Sequence, residues 1–106
     1  MNCYCVVSHF KKELPAGIDL QEILPQHRAQ LTKELEAGNV IIAGPHVWED
    51  GSVGKGGVIL IKAASKEAAE AVMQRDPLCI NGIIEYTLHE FRVANVRPEL
   101  SEWLGN

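Results

Sequence analysis

The chain has 106 residues, 46% of them apolar and 23% charged, which is the make-up of one ordinary globular domain with a modest core. Its net charge is −4, with Lys and Arg scattered among Asp and Glu, so no basic patch marks nucleic acid as the main partner. No apolar run approaches the roughly 20 residues of a membrane span, and the start, MNCYCVV, lacks the basic region and cleavage site of a signal peptide. An odd count of cysteines, Cys3, Cys5 and Cys79, then points to free thiols in the cytoplasm. Cys3 and Cys5 fall on one side of a predicted strand without the further ligands zinc requires, so they read as small buried apolar residues and no metal is expected.

In chain order, Asn2–Ser8 reads as a first strand rich in β-formers. Phe10–Leu24 reads as a loop. Asp19 and Glu22 have the spacing of a capping box, but Pro25 would interrupt a helix begun there. Proline suits a first helical position, so the first helix is expected from Pro25 to about Ala37, with Gly38 as its C-cap. Asn39–Ala43 forms a second strand with a sharp exit at Gly44–Pro45. The loop from Gly44 to Gly57 turns at Asp50–Gly51. Val58–Lys62 is a third strand. Ser65 caps a second helix over about Lys66–Arg75, which Asp76–Pro77 ends. Asn81–Gly82 leads into a fourth strand, about Ile84–Val93, and the tail Arg97–Asn106 has room for a short helix from Pro98. Residues 1–94 are therefore expected to be one domain and 95–106 a C-terminal extension.

The order β-α-β-β-α-β, with right-handed crossovers, is an α+β, ferredoxin-like arrangement: two helices on one face of a four-stranded antiparallel sheet. A sheet wetted on its other face should alternate polar and apolar residues, yet Cys3, Cys5 and Val7 alternate with Tyr4 and Val6, and VIIA and VILI are apolar on both sides. No spare element in the chain can cover that face. A second copy packed sheet to sheet can, so a homodimer, possibly a shared barrel, is expected, with Trp103 and Leu104 of the tail as anchors on the partner.

Leu24, His27, Leu31 and Leu35 follow one helical stripe, which turns His27 toward the sheet near the helix start. A lone histidine on an apolar stripe is more often a satisfied core residue than a catalyst, and spacing alone favours that reading. Topology adds a partner. The first helix starts where strand one ends, and the second helix ends just before the antiparallel strand four, so His27 and Asp76 share one sheet edge. A carboxylate on one imidazole nitrogen would fix the tautomer and raise the basicity of the other; the plainer reading makes Asp76 a turn residue before Pro77. His9, at the same edge with its neighbour Ser8, reads as a ligand contact or a solvated loop residue. His46, beyond Pro45, is placed at the opposite edge, where it and Pro45 could reach a pocket only across a dimer contact. His89 is expected to face outward or toward the partner. Gly54, Gly56 and Gly57 lack the strand–loop–helix setting of a phosphate loop and read as a mobile loop or lid. Neither Ser8 nor Ser52 has a setting that would activate it as a nucleophile.

These segments together resemble the YciI-like family. Pro25-Gln26-His27 through Glu36-Ala37-Gly38, followed by Ala43-Gly44-Pro45, is similar to that family's helix-one histidine and its "AGP" turn. Asp50-Gly51, the glycines before strand three, Ser65 with Glu67-Ala68-Ala69, and Asp76-Pro77 with Gly82 fall in the same order, over about residues 1–93. The resemblance implies a dimeric α+β barrel of ferredoxin-like subunits, related in fold to muconolactone isomerases. It also implies that the family's proposed histidine–aspartate pair is His27 and Asp76, and some members of the family eliminate chloride from chlorinated hydroxyquinones. Two departures stand out: His46 follows Gly44-Pro45 where an apolar residue is common, and the tail from Asn95 runs past the usual end.

Two functions follow as expectations. One is an enzyme without cofactor, a lyase or isomerase, in which His27 moves a proton on a small cyclic or aromatic carbonyl compound and Asp76 orients it, with His9, Ser8, Pro45 and His46 as substrate contacts. The other is a dimeric module that binds a metabolite without turning it over; fold does not choose between them.

Overall fold

Along the first strand Tyr4, Val6 and Ser8 are buried, while Val7 and His9, which point the other way, are exposed. This alternation sets which face of the sheet receives the helices. The computed structural model describes residues 2–104. It contains β1 (Asn2–Phe10), α1 (Leu20–Glu36), β2 (Val40–Val47), β3 (Val53–Ala63), α2 (Lys66–Gln74), α3 (Pro77–Ile80), β4 (Ile84–Phe91) and α4 (Pro98–Leu104). The strands form one sheet in the order β2-β3-β1-β4, every neighbouring pair antiparallel. This is the expected ferredoxin-like topology. Tyr4, Val6, Ile59, Ile61 and Leu88 of the sheet pack with Ile23, Ala69, Val72 and Met73 of α1 and α2 in a single core. No helix among the described residues is long and apolar enough to cross a membrane.

Helix α1 begins five residues earlier than the proline suggests. The Asp19 carboxylate caps it by accepting from the Gln21 N–H at 3.0 Å, and the Asp19 carbonyl accepts from Glu22 and Ile23. Pro25 sits inside the helix. Its missing N–H leaves only the carbonyl of Gln21, an exposed residue, without its helical partner, and water is at hand there. The inward stripe also differs at its far end. Leu35 is 43% exposed, and the buried Glu34 takes the place expected for it.

The stretch expected to leave the sheet at Gly44–Pro45 stays in it. β2 continues to Val47, and with β3 it forms a hairpin closed by the Trp48–Ser52 turn. The Asp50 carboxylate takes the Ser52 N–H at 2.8 Å within that turn. The glycines that looked like a lid, Gly54, Gly56 and Gly57, are strand residues, the last two at close approach to neighbouring backbone. A Cβ on Gly57 would stand 2.3 Å from the Gly44 carbonyl oxygen.

The second face of the sheet carries Cys5, Val7, Ile42, Val58 and Leu60, and no helix of α1–α3 covers it. Val7 is 41% and Ile42 61% exposed. The tail closes one end of this face within its own chain. Leu104 is buried, Lys62 Nζ lies 4.6 Å over the Trp103 ring, and the same ammonium donates to the Trp103 carbonyl. The last two residues of the expected extension, Gly105 and Asn106, lie outside the described residues.

Candidate active site

Two elements bring an imidazole and a carboxylate together. α1 leaves the end of β1 and presents His27 on its inward stripe. The end of α2 delivers Asp76, which also caps α3: its Oδ1 accepts from the Leu78 N–H at 2.9 Å, with Pro77 in the first helical position. His27 Nδ1 lies 2.9 Å from both Asp76 oxygens. Their side chains are only 21% and 10% exposed. A carboxylate only accepts, so the contact calls for a proton on Nδ1, which in the neutral ring would leave Nε2 bare. The cap holds the carboxylate in place whatever the imidazole does, and that is the setting in which one group orients another.

The pair borders a cavity of about 420 Å³ between α1, α3 and the helix-bearing face of the sheet. Phe10, Leu24, Leu31, Ile59, Leu78 and Ile84 give it apolar walls. Ser8 and Pro45 also line it. The Ser8 hydroxyl is engaged with β3, accepting from the Gly57 N–H at 3.2 Å and donating to the Gly57 carbonyl at 3.4 Å. Arg28 and Lys55 complete the rim.

The other histidines stand apart from this cavity. His9 points to the opposite face of the sheet and pairs with Glu85 at 3.2 Å, both well exposed. His46 lies at the same edge as His27, not the opposite one, because β2 and β1 both run antiparallel to β3 and so parallel to each other. Its Nε2 stands 3.1 Å from the Ser8 carbonyl oxygen, and its ring lies against Trp48 with centroids 5.1 Å apart. It is not among the residues that line the cavity. His89 is exposed on the face without helices. Cys79 is no neutral-pH nucleophile: burial first, then the charges of Asp76 and Glu70, push its thiol up to about 11.

A second pair joins the same two helical segments and escaped the sequence reading. The Glu34 carboxylate accepts from Arg75 Nε at 2.7 Å and Nη2 at 2.9 Å, from Gln30 at 3.0 Å and from Asn39 at 2.9 Å. The Arg75 hydrogen bond foremost, and then those of its neighbours, hold Glu34 below the usual carboxylate range against the opposing effect of burial. The signal was present: Glu34 follows His27 by two turns, and Arg75 directly precedes Asp76.

The family model for the YCII-related domain matches residues 2–92. No curated protein matches the sequence significantly. Among solved structures, the fold is similar to that of 5-chloro-2-hydroxyhydroquinone dehydrochlorinase from Burkholderia phenoliruptrix AC1100, in complex with 2,5-dihydroxybenzoquinone. The TM-score is 0.61, with 14% identity over 85% of this chain and 93% of that one.

Proposed function

The chain belongs to the YCII-related domain family, and from that premise we propose that it is a cofactor-independent lyase acting on a small cyclic hydroxy-carbonyl compound, with His27 as general base and Asp76 as its orienting partner. One observation carries the reading. The imidazole is fixed through Nδ1 by a carboxylate 2.9 Å away, and the residue it belongs to lines an apolar-walled cavity large enough for a single ring. The similar fold of a dehydrochlorinase suggests the reaction class. In such an elimination the ring compound reacts as its keto tautomer, in which a hydroxyl proton has moved to the chlorine-bearing carbon, and His27 Nε2 takes up the proton of a remaining hydroxyl group. The electron pair left behind moves through the ring and expels chloride, which departs with the pair of the carbon–chlorine bond. The products are a quinone, chloride and an imidazolium, which returns its proton to water.

The same proposal places a second copy of the chain on the uncovered sheet face, where Val7, Ile42 and Val58 would otherwise stay in water. It places the protein in the cytoplasm, where the free thiols of Cys3, Cys5 and Cys79 stay reduced.

The test is to incubate the protein with 5-chloro-2-hydroxyhydroquinone and other halogenated hydroxyquinols and to measure chloride release beside the absorbance of the quinone. The reading expects catalysed release that His27→Gln abolishes. Binding of these compounds without any release by the wild-type protein would make the domain a binding module instead.

A further inference from the structure

Resting on the reading of this cavity as a substrate site, we propose that it selects ring compounds in their anionic form, as enolates or carboxylates, and that Lys55 and Arg28 receive the charge. Among the residues that line it, Asp76 is the sole carboxylate, already engaged by His27 and by the Leu78 N–H. Neither cation is locked in an ion pair: among the described residues the salt bridges are His9–Glu85, His27–Asp76 and Arg75–Glu34, and the Asp50 carboxylate acts on Lys55 only at longer range. Apolar walls with a surplus of positive charge at the rim favour an anionic ring over a neutral one.

Lys55 is not placed there as an ordinary surface lysine. It is the non-glycine residue with positive φ, 58°, among the described residues, and it stands between Gly54 at 108° and Gly56 at 136°. Between the pairs Pro45–Gly57 and Val47–Val53, these three residues of β3 face His46 alone on β2, so the strand bulges. The bulge is pinned from several sides. Trp48 Nε1 donates to the Gly54 carbonyl at 2.9 Å, Ser8 holds Gly57, and a Cβ on Gly56 would fall 2.3 Å from the Ser8 carbonyl oxygen. A left-handed lysine persists where its surroundings over-determine it, and a bulge re-aims the side chain it carries. Here it sets a lysine on the sheet side of the cavity, while α1 brings Arg28 from the helix side, next to the catalytic base. In an elimination these two cations would also hold the negative charge that builds on the ring oxygens as the proton leaves.

The experiment compares 2,5-dihydroxybenzoate with the neutral 2,5-dihydroxybenzamide by titration calorimetry at low salt. The anion is expected to bind at least about tenfold tighter. Lys55→Gly, which removes the charge and suits the left-handed backbone, and Arg28→Gln should each take about five- to tenfold from the anion and leave the amide unchanged. Lys55→Arg should keep the preference, and added salt should narrow it. Equal affinity for the two ligands, including no measurable binding of either, overturns the proposal, as does a preference that survives the double variant. Turnover assays on the wild-type protein separate the two claims. A protein that keeps the anion preference but never turns a substrate over defeats the catalytic reading alone; turnover without the preference defeats this one alone.

Discussion

Two acid–base pairs tie α1 to the end of α2, and they have opposite fates. His27 and Glu34 lie two turns apart on one stripe of α1; their partners, Asp76 and Arg75, are consecutive residues. Both pairs have a carboxylate that is buried, and both are close in geometry. The Glu34 carboxylate is saturated, with Arg75 on both oxygens and Gln30 and Asn39 filling the rest, and nothing remains for a ligand. The Asp76 carboxylate spends itself on a helix cap and one imidazole nitrogen, which leaves the other nitrogen on a residue that borders a cavity. Burial and pairing do not by themselves make a site. What sets the His27 pair apart as the candidate is a nitrogen left free on a residue that lines a cavity.

Substitutions should separate the two pairs cleanly. The largest effect is expected at the base: His27→Gln should lower kcat by about 10²–10⁴-fold with little change in thermal stability. Its counterpart, Glu34→Gln, should leave kcat within a few-fold while lowering stability. Asp76→Asn comes next. Asparagine still caps α3, so stability should change by less than about 1 kcal/mol, while kcat falls roughly 10²-fold because the imidazole loses its ionic partner. Equal activity losses at Asp76 and Glu34 would erase the distinction between the pairs.

Breaking the structural pair should appear in stability and in its pH dependence. Glu34→Ala removes four hydrogen bonds but leaves a half-exposed Arg75 that water can solvate, and should cost about 1–2 kcal/mol, measured by urea unfolding at pH 7. In the folded protein Glu34 titrates below its unfolded value. Its contribution is therefore complete above the ordinary carboxylate pKa of about 4.3 and is lost as the pH falls through the depressed folded value. The wild-type protein should lose stability steeply below about pH 4, and Glu34→Ala should flatten that part of the curve. The smallest effect concerns Cys79. With its thiol pushed up to about 11, it should resist iodoacetamide at pH 8 in the native protein and react once urea unfolds the chain.

The parts of this architecture that were legible in the sequence follow from direction and period. Strand and helix order fixed which chain ends meet at which sheet edge, and that was enough to bring His27 to Asp76 across the fold. What was missed depends on residues acting against their usual preference. Pro25 breaks a helix as a rule, but here it forfeits one carbonyl on a solvent-facing turn, while Asp19 has already started the helix. Gly56 and Gly57 read as loop because glycine is rare in strands. They are in a strand because backbone from β1 and β2 approaches within the reach of a Cβ. The misplacement of His46 came from the direction of β2, and the hydrogen-bond distance to the Ser8 carbonyl corrects it. Glu34 was hidden by its type: a glutamate on an apolar stripe looks like an error until its guanidinium partner, which comes from another helix, is known.

The direct test of the central claim is the tautomer of His27, read by nitrogen NMR of the imidazole ring. A base oriented by Asp76 must hold its proton on Nδ1 in the neutral form, with Nε2 bare, and the Asp76→Asn protein should shift that balance. A neutral His27 protonated on Nε2, and unmoved by the substitution, would contradict the account.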